Sequence, residues 1–274
     1  MSRKGIAFVA GLALVAIAAA AYMYSVALRD PVVRTATVAL LPAGAAPLRV
    51  ALMADIHVAG PDMPPRRLAK IVAQVNALSP DLVLIAGDLV SDKRVATKLY
   101  AAGEAVRPLA ALDAPLVFMA VPGNHDHWRG IEAFERAFSQ AGIRFLRNET
   151  EPAGPLVIAG VDDEFSGHAD VECTFGQASA SPMLVLTHSP DVIPRLPPEP
   201  RLVFAGHTHC GQIRFPVVGA PAYMSKYGDR FSCGHIVEDG RDIFVSAGLG
   251  TSLLPFRLGA VPDVWLVQLT ARKD

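Results

Sequence analysis

Apolar residues fall into two kinds of run along this chain. The first kind occurs once. From Ile6 to Leu28 no side chain is charged, and Ala, Val, Leu and Ile dominate. A bilayer core takes about 20 apolar residues as helix, so this block is long enough to span one. Tyr22 and Tyr24 near its end suit an interfacial aromatic belt. The alternative is a cleaved signal sequence, for which Ala19 to Ala21 offer small residues. Signal sequences carry apolar stretches of about 7 to 15 residues, and the greater length here favours an uncleaved anchor.

The second kind of run is short and recurs, separated by turn residues or by helical spacing. Val32 to Leu40 alternates as a first, edge strand, and residues 42–47 form a turn. Strands are predicted at Leu48–Ala54, Leu82–Ala86, Leu116–Val121, Leu156–Val161, Met183–Leu186, Leu202–Ala205, Ile243–Ala247 and Val264–Leu269. Helices are predicted at Arg66–Leu78, where Leu68, Ile71, Val72 and Val75 share a face, at Val95–Leu112 with a break at Pro108, and at Ile131–Ala141. Strands alternating with helices read as α/β. The chain divides into an anchor at 1–30, a linker and edge strand at 31–47, and one large domain at 48–274.

Five of the apolar runs stop at side chains suited to metals or proton transfer. They lead into Asp55-Ile56-His57, Gly87-Asp88, Gly123-Asn124-His125-Asp126-His127, Thr187-His188 and Gly206-His207-Thr208-His209. In open α/β sheets, sites gather beyond the carboxyl ends of strands, so five such ends would bring these residues to one rim. Asp55 with His57, and His207 with His209, are spaced two apart and point to one face of an extended chain. Asp55, His57, Asp88, Asn124, His188, His207 and His209 form a mixed nitrogen and oxygen set without thiolate. The set is too large for one tetrahedral zinc. It fits two ions about 3.5–4 Å apart sharing a carboxylate, with manganese, iron, zinc or cobalt all acceptable. Two such ions, two carboxylates and a bridging hydroxide leave a net charge of roughly +1, suited to an anionic phosphoryl group.

Charge and cysteines narrow the reading further. The formal net charge is -1, so no bulk basic balance points to nucleic acid. Arg3 and Lys4 precede the anchor, and Arg29, Asp30 and Arg34 follow it. That small asymmetry leans towards a single-pass inner-membrane protein with its body outside the cytoplasm. Cys173, Cys210 and Cys233 make neither a disulfide framework nor a metal knuckle, although one pair could form in an exported body.

The ordered series Asp-x-His, Gly-Asp, Gly-Asn-His-Asp, a His after a strand, and Gly-His-x-His resembles the calcineurin-like metallophosphoesterase superfamily across residues 48–270. The resemblance implies a four-layer αββα sandwich of two mixed sheets. It implies one metal site from Asp55, His57, Asp88 and His209, and a second from Asp88, Asn124, His188 and His207, with Asp88 bridging. His125 would contact the phosphate and protonate the leaving oxygen, while Asp126 orients His125 and keeps it charged. A metal-bridging hydroxide would attack phosphorus.

The anchor, the stretch from Gly206 to Gln212 and the later Ser246-Ala247-Gly248-Leu249-Gly250-Thr251-Ser252 resemble the membrane-associated YkuE/YaeI-like group. Some members of that group cleave UDP-2,3-diacylglucosamine, so the resemblance implies a phosphodiester or pyrophosphate bond in a lipid-linked substrate. The alternatives are a tethered enzyme for soluble nucleotides or phosphoproteins, and a non-catalytic metal-binding module; the unsubstituted ligand positions argue against the module. Lesser expectations concern single features. Cys210 is a small side chain tucked behind its loop, against the rival that it binds metal or oxidises. His127, His168 and His235 are exposed polar residues, and Asp162-Asp163-Glu164 is a turn rather than a ligand cluster. The loop Phe215 to Phe231, with Tyr223, Lys226, Tyr227 and Arg230, could join residues 253–256 in holding an acyl chain and head group, or simply pack. Asn148-Glu149-Thr150 matches a glycosylation sequon that recurs by chance.

Overall fold

The computed structural model describes residues 2–176 and 182–272. The long apolar block forms α1 (Arg3–Ala27), whose first residues have no neighbours in the body and whose Val26 and Ala27 are buried against it. There follow β1 (Val32–Leu41), β2 (Leu48–Ala54), the short β3 (Ala59–Gly60), α2 (Pro65–Ala77), β4 (Leu82–Ala86), the short β5 (Lys98–Leu99) and α3 (Ala102–Val106). Next come β6 (Phe118–Val121), α4 (Asn124–Trp128), α5 (Ile131–Gln140), β7 (Ile143–Phe145), β8 (Glu149–Ala153), β9 (Leu156–Val161) and α6 (Val171–Phe175). The chain closes with β10 (Met183–Thr187), β11 (Leu202–Ala205), β12 (Gly234–Glu238), β13 (Arg241–Val245) and β14 (Asp263–Ala271).

Two six-stranded mixed sheets result, in the orders β1-β14-β2-β4-β6-β7 and β12-β13-β11-β10-β9-β8. Their central strands are parallel and apolar on both faces, and this explains the layering. In β2, Val50, Leu52 and Ala54 face the second sheet, where they meet Ile158, Leu184, Leu186, Phe204 and Phe244. The alternate residues Ala51 and Met53 face outwards, onto Leu68, Ile71 and Val75 of α2 and Phe134 and Phe138 of α5. The second sheet repeats this, with Val185, Val203 and Ile243 covered by Val192 and Ile193 of a 3-10 turn. A strand buried on both faces must be covered on both, so the order helix, sheet, sheet, helix follows from the residue pattern.

The helix expected over Val95–Leu112 is a correction. Thr97 N–H donates to Gly60 O at 3.1 Å, which draws this segment into the β3–β5 pair. Helix begins only at α3 and passes into a 3-10 turn, Arg107–Ala111, at Pro108, which has no N–H to continue an α-helix. The sixth strand starts at Phe118 rather than Leu116. Strands β8 and β12 escape sequence reading because they are edge strands whose faces are largely polar or exposed.

Candidate metal centre

The parallel strands β2, β4 and β6 of one sheet and β10 and β11 of the other end at the same rim. Short backbone links then lock the tips together. Gly206 N–H donates to His188 O at 2.9 Å, and Asp55 N–H to Gly87 O at 3.1 Å. His207 N–H donates to both carboxylate oxygens of Asp55, at 2.9 and 3.0 Å. The turns that follow the strands are strained: Asp55, His57, Asp88, His207 and His209 all have φ between 48° and 68°. Such left-handed backbone is costly for residues with a Cβ and gathers at functional sites. Glycine is required beside them. A Cβ on Gly206 would stand 2.5 Å from Asp55 Oδ2, and one on Gly123 would overlap Asp88 Oδ1.

All seven residues expected as ligands meet. His188 Nε2 lies 3.3 Å from Asp88 Oδ2, 3.2 Å from Asn124 Oδ1 and 3.1 Å from His207 Nδ1. On the other side of Asp88, His57 Nε2 lies 3.5 Å from Asp88 Oδ2 and 3.0 Å from His209 Nε2, and His209 Nε2 is 3.5 Å from Asp55 Oδ1. Potential ligand atoms form three groups each within 4.8 Å: Asp55, His57 and His209; Asp55, Asp88 and His188; and His57, Asp88 and His125. The outer nitrogens decide what the inner ones are. His57 Nδ1 is 3.2 Å from Val90 O and His188 Nδ1 is 2.9 Å from Ala86 O, so each donates outwards. Their inward Nε2 atoms are aimed at carboxylate, amide oxygen and other ring nitrogens. Lone pairs facing acceptors repel unless a cation or a proton sits among them. The donor set thus fits a pair of divalent ions.

Electrostatics agree. Burial pushes His57 and His209 well below the usual imidazole range and His207 down to about 3, which keeps them neutral donors. Burial raises Asp55 to about 7, although His188 pulls the other way. Asp88 is buried too, but the imidazoles of His188, His125 and His57 outweigh that and hold it well below the usual carboxylate range. His188 would be lowered by burial; the Asp88 carboxylate opposite lifts it well above instead.

His125 stands over this cage. Its N–H donates to Asp88 Oδ1 at 2.9 Å, and its Nε2 is 3.9 Å from Asp88 Oδ2 and 3.5 Å from Ser252 Oγ. The expectation for Asp126 needs correcting. Its carboxylate does not touch His125: it accepts N–H bonds from Leu89, Val90 and Gly123 at 3.0–3.3 Å and so fastens two strand-end loops. The carboxylate on His125 is Asp92, whose Oδ1 is 2.6 Å from Nδ1. Only its position four residues after Asp88 could have flagged it. Arg257 was also missed, because its neighbours read as an apolar loop. It is fully buried, donates to the carbonyls of Ala247, Gly248 and Ala260 at 2.8–3.2 Å, and lies 3.3 Å from His209 Nδ1. Trp128 packs against His125 and Phe165 against His207, as aromatic walls at the mouth.

Other expectations divide. His127 is not exposed: its Nε2 bonds Asp162 Oδ1 at 2.7 Å and its ring stacks on His168. Asp163 accepts from the N–H groups of Phe165 and Ser166, so the acidic triplet is a turn. Cys210 is buried, and it is also oxidised, in a disulfide with Cys233 across a Cα–Cα distance of 4.7 Å. In the 215–231 loop, Arg230 pairs with Glu238 and Lys226 with Glu164, both as exposed ion pairs.

Comparison with known proteins agrees with this geometry. The profile of the calcineurin-like phosphoesterase family matches residues 48–211. The chain is 29% identical to the uncharacterized metallophosphoesterase YkuE of Bacillus subtilis over 84% of this chain and 82% of that one. It is 32% identical to the phosphodiesterase YaeI of Escherichia coli, over 82% of this chain and 83% of that one. A transmembrane protein with metallophosphoesterase domain from Danio rerio is 31% identical over 82% of this chain, which spans 53% of that longer protein. The strand-tip cage and these matches agree, and the chain belongs to the calcineurin-like phosphoesterase family of metal-dependent phosphoester hydrolases.

Proposed function

We propose that this protein is a membrane-anchored phosphoesterase that uses two divalent ions to hydrolyse a phosphodiester or pyrophosphate bond in a lipid-linked substrate. The observation that carries the reading is the inward-facing cage of potential ligand atoms with His125 above it. Asp55, His57, Asp88 and His209 would hold one ion, and Asp88, Asn124, His188 and His207 the other. When bound, the ions supply Lewis acidity towards phosphoryl oxygens and lower the pKa of water. The chain's own groups do the rest. His125 Nε2, beside the carboxylate that joins the two halves, is placed to donate a proton to the departing oxygen. Asp92 fixes its ring through Nδ1. Trp128 and Phe165 wall the mouth and restrict water.

Two observations support the anchor and the side. α1 is 25 residues long with a mean hydropathy of 2.4 in its most apolar window. The Cys210–Cys233 disulfide suits an oxidising compartment, which agrees with the weak excess of positive charge before α1 and supports a body outside the cytoplasm. That side disfavours a nucleotide-sugar lipid made in the cytoplasm and favours an exported lipid phosphodiester or pyrophosphate. The test compares turnover of a diacyl pyrophosphate in mixed micelles with that of bis-p-nitrophenyl phosphate and a phosphopeptide, using manganese-loaded full-length protein. Higher kcat/KM on the micellar substrate is the expected result. Equal or better turnover of the soluble esters would defeat the lipid reading, and no turnover of any would defeat the enzyme.

A further inference from the structure

The body has an apolar surface that the site does not use, and it lies beside α1. Residues 215–219 close a tight hairpin: Phe215 N–H donates to Gly219 O and Gly219 N–H to Phe215 O, both at 3.0 Å. Its tip is Pro216-Val217-Val218, with Val217 at 107% and Val218 at 85% exposure. Turn tips in water are ordinarily Gly, Pro, Asn, Asp or Ser; Pro216 fits that rule, but Val217 and Val218 do not, and Val217 even holds a φ of 69°, unusual for a β-branched residue. A cavity of about 690 Å³ lies between this hairpin and α1, lined by Tyr22, Phe215, Val217 and Val218, with the charged Arg214 and Asp229 also on its wall. The depth of Tyr22 follows from helix geometry. With about 30 Å of hydrocarbon and 1.5 Å of rise per residue, roughly 20 residues from Ile6 reach the second boundary near Ser25. Tyr22 then sits about one turn inside it, and the hairpin beside it is at the level of the lipid interface.

A second element reaches the same level. Arg257 N–H donates to Met23 O at 3.0 Å, tying its loop to α1. At the other end of that loop Ser252 approaches His125, and Ser252 N–H and Leu254 O are both held by the Gln212 side chain. Between those ties lies Leu253, at 70% exposure, followed by the exposed Leu254.

We propose that the Phe215–Gly219 hairpin and Leu253–Leu254 form a second membrane contact, inserted into the interface of the bilayer that α1 spans. The partner is lipid, because the patch is continuous with the end of a spanning helix and carries apolar tips without polar turn residues. The contact sets the mouth of the metal centre at the membrane surface. It rests on the reading of α1 as an anchor.

Depth-dependent quenching of an environment-sensitive probe tests it. In the full chain carrying Cys173→Ser, single cysteines are introduced by Val218→Cys, Leu253→Cys or Leu12→Cys. They are labelled with a nitrobenzoxadiazole dye without reductant, so that the native disulfide stays closed. The proteins are reconstituted in phosphatidylcholine–phosphatidylglycerol vesicles containing shallow nitroxide lipids. The expected result is blue-shifted emission at residues 218 and 253, with about half or more of it lost to the nitroxide lipid and little to aqueous iodide. Quenching from water alone at 218 and 253, with the residue 12 probe still quenched by lipid, would overturn the second contact and leave the anchor intact. Shielding from both quenchers would mean that protein covers the patch, and would also overturn it. Loss of lipid quenching at residue 12 as well would sink the anchor reading, and this inference with it.

Discussion

The two sides of the metal centre are built from the same ligand chemistry but are held with different rigidity. On the Asp55 side nearly every group has a second partner. The glycine loop presses on it: Leu249 N–H donates to Ala54 O and Gly250 N–H to Asp55 O, and a Cβ on Gly248 would lie 2.6 Å from the Asp55 Cβ. Arg257 gathers the carbonyls of that loop, and a buried Lys93–Asp62–Thr251 cluster, bonded at 2.7–3.0 Å, closes the floor beside Val90. On the His207 side the backing is thinner. His188 has the Ala86 carbonyl, but the buried His207 Nε2 has no well-formed hydrogen bond among the described residues, with only the Met224 backbone close to its ring, and Phe165 covers the ring from an exposed position. Outer partners fix ligand orientation and are worth about 10–100-fold in metal affinity. The Asp55 side should therefore hold its ion tightly and the His207 side should exchange.

The largest effect removes what the two sides share. Asp88→Asn keeps the shape but takes away the carboxylate between them. Both ions should be lost at micromolar metal, and turnover of bis-p-nitrophenyl phosphate should fall by roughly 10³-fold or more. Metal analysis after desalting checks the first and steady-state rates the second; a variant that keeps two ions would show that the sides are independent. His125→Ala comes next. It should lower kcat by about 10²–10⁴-fold with both ions retained, because in the proposed reading His125 acts on the leaving oxygen and holds neither ion. Asp92→Asn should give a smaller loss of kcat with both ions retained, because the ring of His125 loses the contact that orients it, whereas a role in folding alone would lower the amount of active protein and leave kcat per metal-loaded site unchanged.

The same contrast separates what could be read from sequence. Candidate ligands fall directly after buried apolar runs, so Asp55, Asp88, Asn124, His188 and His207 are visible as breaks in hydrophobicity, and the layer order follows from strands apolar on both faces. Groups that act through another residue carry no such mark. Arg257 comes after Leu253-Leu254-Pro255-Phe256, and only the folded loop shows that its guanidinium is spent on backbone carbonyls. Asp92 and Asp126 lie almost equally near the ligands in sequence, yet one meets the His125 ring and the other is taken up by backbone N–H groups. That choice depends on how two loops pack. The Cys210–Cys233 pairing likewise needs the 206–212 turn and the 231–234 segment to be brought together in space.

Arg257→Met sharpens the contrast between the sides. It removes the bonds that hold the glycine loop while leaving all ligands in place. Affinity should fall by about 10–100-fold for one ion and stay unchanged for the other, so titration with manganese should turn from two similar or well-ordered steps into one retained and one weakened step. Arg257→Lys, which keeps the charge but loses the fork, should behave similarly if the carbonyl contacts are what matter. Equal weakening of both ions would refute the idea that the backing is one-sided.

The smallest effect is counted in protons. Without ions, His188 is raised well above its ordinary pKa by Asp88 and is charged at pH 7, while burial lifts Asp55 to about 7 and leaves it about half protonated. Both must lose their protons to bind metal, whereas His57, His207 and His209 are already neutral because burial lowers them. Burial also lifts Asp126 to about 7, so it titrates in the same range as Asp55. Loading metal-free protein at pH 7 should therefore release more than one proton per pair of ions. The number should rise as pH falls towards 5, where Asp55 and Asp126 are both protonated beforehand, and decline above pH 8, where both have already ionised. An indicator dye in weak buffer reads this directly. Asp55→Asn should reduce the pH-dependent part and leave the share of Asp126 and the proton from His188. Release that is absent, or that survives Asp55→Asn with its pH dependence unchanged, would show that the two sides do not differ in the way their buried charges require.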